Sequence, residues 1–115
     1  ERINQRVMNE YLQKLHLHAD YASNGQQALK MYMENRYDLI FMDIQMPIMD
    51  GVKATREIRA SNKDHYPYIV AITADALKGD KESYTTAGMD DYLFKPVLLE
   101  GIQSAISKFI KATRR

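Results

Sequence analysis

The sequence predicts an α/β fold in which helices cover a parallel sheet. Three observations carry that expectation. Segments with a helical repeat alternate with short strand-like runs along the chain. Two of those runs, Asp38 to Met42 and Tyr68 to Ile72, are nearly continuous apolar stretches, the pattern of strands buried on both faces. The length, 115 residues at 45% hydrophobic, suits one compact domain with a single core.

Ile3, Val7, Met8, Tyr11, Leu12 and Leu15 recur at three-to-five spacing and predict an amphipathic helix. His18 to Ala22 reads as an edge strand that ends at the turn Ser23-Asn24-Gly25. Gln26 to Asn35 reads as a helix carrying Ala28, Leu29, Met31, Tyr32 and Met33, and the strand Asp38 to Met42 follows. Pro47 and Gly51 break the next loop, and Val52 to Ser61 forms a further helix. After the strand Tyr68 to Ile72, a short helix spans Asp80 to Ala87 with Gly88 as its C-terminal cap. Asp91 to Phe94 is the last strand, stopped by Pro96. Ile102, Ala105, Ile106, Phe109 and Ile110 mark a closing helix, and Lys108, Lys111, Arg114 and Arg115 suit its negative end.

Charge narrows the functional classes. Formal net charge is +1 with acids and bases interspersed, so there is no electrostatic case for nucleic acid or a membrane surface. The absence of cysteine removes disulfides, thiolate chemistry and cysteine metal sites, and it suits a reducing, cytoplasmic setting. No apolar run approaches the length of a membrane span. His16, His18 and His65 lack metal-ligand spacing and have no evident partner in the sequence. Met8, Met31, Met33 and Met42 fall in periodic apolar segments and read as core filler, whereas Met46 and Met49 lie in the loop after Asp43 and flank the site. Most of the eight tyrosines, Tyr32 and Tyr84 among them, read as packing or surface residues.

Ligand sites in parallel α/β sheets lie beyond the carboxyl ends of the strands. Three such ends carry reactive side chains here: Asp43, Thr73 and Lys95. Parallel neighbours would bring the carboxylate, hydroxyl and ammonium to one patch. That set suits phosphoryl transfer. A carboxylate can act as the nucleophile, and a cation and a hydroxyl donor can hold the transferred charge. Each residue alone also has a plain structural reading: Asp43 as a cap or loop residue, Thr73 as a strand end, Lys95 as a solvated surface residue. Their joint occurrence at successive strand ends is what favours chemistry.

The segments Phe41-Met42-Asp43-Ile44-Gln45-Met46-Pro47-Ile48-Met49-Asp50-Gly51, Ile72-Thr73-Ala74 and Asp91-Tyr92-Leu93-Phe94-Lys95-Pro96 resemble the receiver domains of response regulators and hybrid histidine kinases. The resemblance runs from Ile3-Asn4-Gln5 to the last helix. It implies a flavodoxin-like doubly wound sheet of order 2-1-3-4-5 with five helices. Asp43 then matches the phosphoacceptor, Thr73 the switch hydroxyl, Tyr92 the switch aromatic and Lys95 the basic partner of the phosphoryl group. Mg²⁺ would be held by Asp43 and by the backbone carbonyl of Gln45. The Lys95-Pro96 bond would be cis. The implied partner is a histidine kinase or a histidine phosphotransfer domain, and the parent protein would be a hybrid histidine kinase, itself open to membrane anchoring. Ala76-Leu77-Lys78-Gly79-Asp80 and Ala87-Gly88-Met89-Asp90-Asp91-Tyr92 point to the receivers of hybrid sensor kinases.

The sequence departs from the family pattern at its start. Aligned through Ile3-Asn4-Gln5, the family's first strand and its acidic metal-binding pair fall just before Glu1, so residues 1–115 read as an N-terminally incomplete receiver domain. The expected consequences are two unpaired strand edges and an opened core, weak Mg²⁺ affinity, and an opening for dimerisation or strand exchange. Two rival readings follow. A degenerate receiver would act as a phosphorylation-independent interaction module. A phosphatase of the haloacid dehalogenase type would need a second Asp two residues beyond the nucleophile, where this chain has Gln45.

Overall fold

The computed structural model describes residues 2–61, 64–74 and 81–113. In chain order the elements are α1 (Arg2–Lys14), α2 (Gly25–Asn35), β1 (Leu39–Asp43), α3 (Gly51–Ser61), β2 (Tyr68–Thr73), α4 (Lys81–Ala87), β3 (Asp91–Phe94) and α5 (Leu99–Thr113). The motif Ala76 to Asp80 lies outside the described residues.

Local chemistry sets most boundaries. Asn24 caps α2 by accepting a 2.9 Å bond from the Gln27 amide, and the Gln27 side chain accepts in return from the Ser23 amide. Asp50 caps α3, accepting from the Lys53 amide at 2.8 Å. Arg36 (φ 52°) ends α2 in the left-handed region, and Gly88 (φ 106°) takes the same role after α4, as its position just past the last apolar residue predicts.

The strands form a parallel sheet of order β1-β2-β3. The register pairs Asp43 with Ile72 and Thr73 with Phe94, so the three carboxyl ends lie side by side. The central strand β2 is buried from Ile69 through Thr73, which is why it reads as an unbroken apolar run. Alternate residues face opposite layers. Ile69 and Ala71 join Tyr32, Met42, Ala54, Ile58 and Met89 in a core beneath α2, α3 and α4. On the other face α5 buries Ile102 and Ala105, and its Phe109 ring meets Tyr68 at 5.7 Å.

Several sequence expectations need correction. His18 to Ala22 forms no strand: among the described residues the sheet begins at β1, so this segment has no ladder partner, and propensity alone does not make a strand. Met33 is 54% exposed rather than core. Neighbouring helical positions point about 100° apart, and Tyr32, at 1% exposure, takes the inward place. His65 does have partners. Its Nε2 lies 2.9 Å from Asp38 Oδ1 and its Nδ1 lies 2.8 Å from the Tyr32 hydroxyl. The carboxylate only accepts, so Nε2 carries the proton, and in the neutral ring Nδ1 accepts from the phenol.

That clasp sits at the amino rim of the sheet, opposite the strand ends. A second tie lies on the same rim. The Arg59 guanidinium donates to the Pro67 carbonyl at 2.6 Å, to the Gly88 carbonyl at 2.9 and 2.7 Å and to Asp90 Oδ2 at 2.9 Å. It also stacks 3.6 Å above the Tyr66 ring. Asp90 in turn accepts from the Ile69 amide at 2.9 Å. One side chain on α3 therefore joins the entry to β2 and the turn after α4.

Candidate functional site

The carboxyl rim brings together the three side chains expected there. Lys95 Nζ donates to Asp43 Oδ2 at 2.8 Å, across two strand intervals. The pair is partly covered, with the lysine side chain 33% and the carboxylate 28% exposed. An ion pair at this depth retains more of its attraction than one in open solvent, yet stays within reach of an incoming group. Thr73, which ends the strand between them, is buried at 4% exposure, and its carbonyl accepts from the Lys95 amide at 2.8 Å. The Lys95-Pro96 peptide is cis, as the resemblance implied.

The loop after β1 folds around the carboxylate. The Gln45 amide donates to Asp43 Oδ1 at 3.0 Å, the Ile44 amide to the Ile72 carbonyl at 2.9 Å, and the Gly51 amide back to the Ile44 carbonyl at 3.1 Å. Both Asp43 oxygens therefore have a fixed donor, one charged and one neutral. At Gly51 a Cβ would lie 2.1 Å from the Asp43 carbonyl oxygen, so only glycine lets α3 begin so close to the strand end. The Gly25 amide donates to the Met49 carbonyl at 2.9 Å, which ties the start of α2 to the same loop.

Tyr92 lies on the face of β3 that packs toward the core of α2, α3 and α4, with its ring centroid 5.5 Å from that of Phe94. Tyr84 has more to do than its sequence context suggests. Its ring packs on that same core, and its hydroxyl donates to Thr73 Oγ1 at 3.4 Å. Only the contact could have revealed this, because an aromatic on a short helix otherwise reads as filler.

The donors near the site suit a hard cation in kind. The Asp43 carboxylate and the Gln45 carbonyl are oxygen ligands, and Mg²⁺ is commonly held by one or two carboxylates, water and phosphate oxygens. Among the described residues no group of three or more His, Cys, Asp or Glu converges on one point. No helix among them is long and apolar enough to cross a membrane.

Comparison with known proteins adds the following. The sequence pattern of the family described as response regulator receiver domain matches residues 1–107. A hybrid signal transduction histidine kinase (I) of Dictyostelium discoideum is 43% identical over 124 residues, covering 97% of this chain and 7% of the relative. The chain thus spans a small fraction of that protein's length. Among solved structures, the receiver domain of a sensor histidine kinase from Pseudomonas aeruginosa PAO1 is 39% identical with TM-score 0.87, covering 96% of this chain and 91% of the other; it is described with a magnesium ion coordinated in its active-site cleft. The receiver domain of a Saccharomyces cerevisiae response regulator is 32% identical with TM-score 0.90, covering 99% of this chain and 87% of the other, and was co-crystallised with a histidine phosphotransfer signalling protein.

Proposed function

This chain belongs to the response regulator receiver domain family, and on that premise we propose that Asp43 accepts a phosphoryl group from a phosphohistidine and that the added charge drives a change of shape. The chain is a receiver domain of two-component phosphorelays, similar to those of hybrid histidine kinases. The observation that carries the assignment to Asp43 is the 2.8 Å pair it makes with Lys95, beside Thr73 on the strand between them.

In the proposed step an Asp43 carboxylate oxygen attacks phosphorus. The new P–O bond forms as the donor's P–N bond breaks, and the bonding pair returns to the imidazole nitrogen. Lys95 needs only a small movement to exchange the carboxylate for a phosphoryl oxygen, so its charge is already in place as the new charge arrives. The Thr73 hydroxyl supplies a neutral donor from the adjacent strand end. Tyr92, on the next strand, follows the displaced Thr73 inward and alters the surface of α4 and β3. Asp43 and the Gln45 carbonyl are the residues of this chain that would hold Mg²⁺, which when bound would offset charge on the transferring oxygens. The partner is a histidine kinase or a histidine phosphotransfer domain, a reading supported by the company in which the yeast receiver was crystallised. The parent protein is a hybrid histidine kinase, supported by the Dictyostelium relative, and this domain of it acts in the cytoplasm.

Incubation with acetyl phosphate and Mg²⁺, followed by intact-mass measurement, tests the assignment. One phosphoryl group should appear in wild type and be lost in Asp43→Asn. No gain in wild type, or a gain that survives the substitution, refutes it, and the former result would favour a phosphorylation-independent interaction module.

A further inference from the structure

The contact between Tyr84 and Thr73 joins a core-packed aromatic on α4 to a hydroxyl at the carboxyl rim. We propose that Tyr84 is a positioning residue that holds the Thr73 hydroxyl toward α4 and so biases the domain toward its unphosphorylated shape. This inference rests on the reading of Asp43 as phosphoacceptor.

The geometry restricts what the phenol can do. The Tyr84 ring packs against the core that contains Ile69, Ala71 and Met89, and the Met89 amide bonds to the Tyr84 carbonyl at 3.0 Å. The turn after α4 is fastened by Arg59 through the Gly88 carbonyl. The ring therefore has little freedom, and its hydroxyl marks a fixed point. Thr73 ends the buried strand at 4% exposure, and a Thr hydroxyl at such a place has few rotamers to choose among. With the phenol donating to Thr73 Oγ1 at 3.4 Å, the rotamer facing α4 gains a bond that is lost when the hydroxyl turns away from α4.

At 3.4 Å the bond is long for a pair of hydroxyls. It is weak enough to be broken by one charged acceptor, because a hydrogen bond to a phosphoryl oxygen is about twice as strong as a neutral one. A latch of this kind sets the resting population without blocking the switch.

Tyr84→Phe removes the hydroxyl and keeps the ring. In the chain with its natural flanking sequence, the apparent affinity for beryllium trifluoride with Mg²⁺, a non-transferable phosphoryl mimic, should rise about two- to ten-fold, the range set by the net worth of one neutral hydrogen bond. The Thr73 methyl and amide resonances of the unliganded variant should move partway toward their beryllofluoride-bound positions, which a purely structural role would not produce. In a Thr73→Ala background the substitution should have no effect on affinity. Tyr84→Met, which also fills space without a hydroxyl, should repeat the gain. Unchanged or weakened binding in Tyr84→Phe, or a gain that persists without the Thr73 hydroxyl, overturns the latch. If the wild-type chain binds no beryllofluoride at all, the failure lies with the phosphoacceptor reading, and the latch falls with it.

Discussion

Gly51 offers the sharpest test of how tightly Asp43 is held. An added Cβ would lie 2.1 Å from the Asp43 carbonyl oxygen and 2.9 Å from Met42 Cγ. Heavy-atom contacts settle at about 3.5 Å, so Gly51→Ala must push the start of α3 and the end of β1 apart by about 1.4 Å. The atoms in the way are backbone and a methionine that is 2% exposed, so neither can move cheaply. Overpacking of this kind costs about 1–3 kcal/mol, and the backbone clash places this case at the upper end. For a domain of this size that is a fall in Tm of about 10–20 °C. The same displacement moves the Asp43 carboxylate relative to Lys95, now 2.8 Å away, and a misplacement of about 1 Å can slow a reaction about 100-fold. Urea titration gives the first quantity. The initial rate of phosphorylation by acetyl phosphate, followed by intact mass, gives the second. Gly101→Ala in α5 is the control, because its added methyl meets only Leu93 Cδ2 of β3 at 3.5 Å, and it should gain about 0.5–1 kcal/mol from helix propensity. A Gly51→Ala chain with wild-type midpoint and wild-type rate would show that strand end and helix start are not locked together as described.

Lys95→Met should leave the chain folded and reduce the phosphorylation rate at least ~10-fold, through loss of the charge that meets the phosphoryl group; a wild-type rate would remove Lys95 from the mechanism. Arg59→Lys should cost about 2–4 kcal/mol in urea titration, since an ammonium cannot reproduce the forked contacts to Pro67, Gly88 and Asp90; a loss below ~0.5 kcal/mol would mean that the tie is ornamental. Burial pushes the phenols of Tyr21, Tyr32 and Tyr68 up from their usual value. A folded-state value above the unfolded one means that the contribution is fully present below the unfolded value, near ~10, and is lost as pH rises through the folded values. Stability should therefore decline from about pH 10 upward, with tyrosinate absorbance appearing alongside unfolding; free ionisation of these phenols in the folded chain would contradict the assigned burial.

The strand ends were legible because two independent signals coincide there. Apolar runs mark where β1, β2 and β3 stop, and parallel order puts the stopping points on one rim, so Asp43, Thr73 and Lys95 could be brought together before any contact was known. Contacts made by packing left no such trace. Tyr84 meets Thr73 across 11 residues, and nothing in a tyrosine on a short helix says where its hydroxyl ends. Arg59 addresses mainly backbone carbonyls, which carry no sequence signature. His65 finds Asp38 and Tyr32 across 27 and 33 residues. His18 to Ala22 shows the reverse failure, for a strand is a property of two segments and only one could be read. Met33 fails because adjacent positions on a helix compete for a single inward place, and the pattern does not say which wins.

The fastening of Pro67, Gly88 and Asp90 by Arg59 bears on how the chain comes apart. One guanidinium holds two segments at once, so neither the entry to β2 nor the turn after α4 can fray without releasing the other. The amide hydrogens of the two segments should therefore exchange with solvent as one unit.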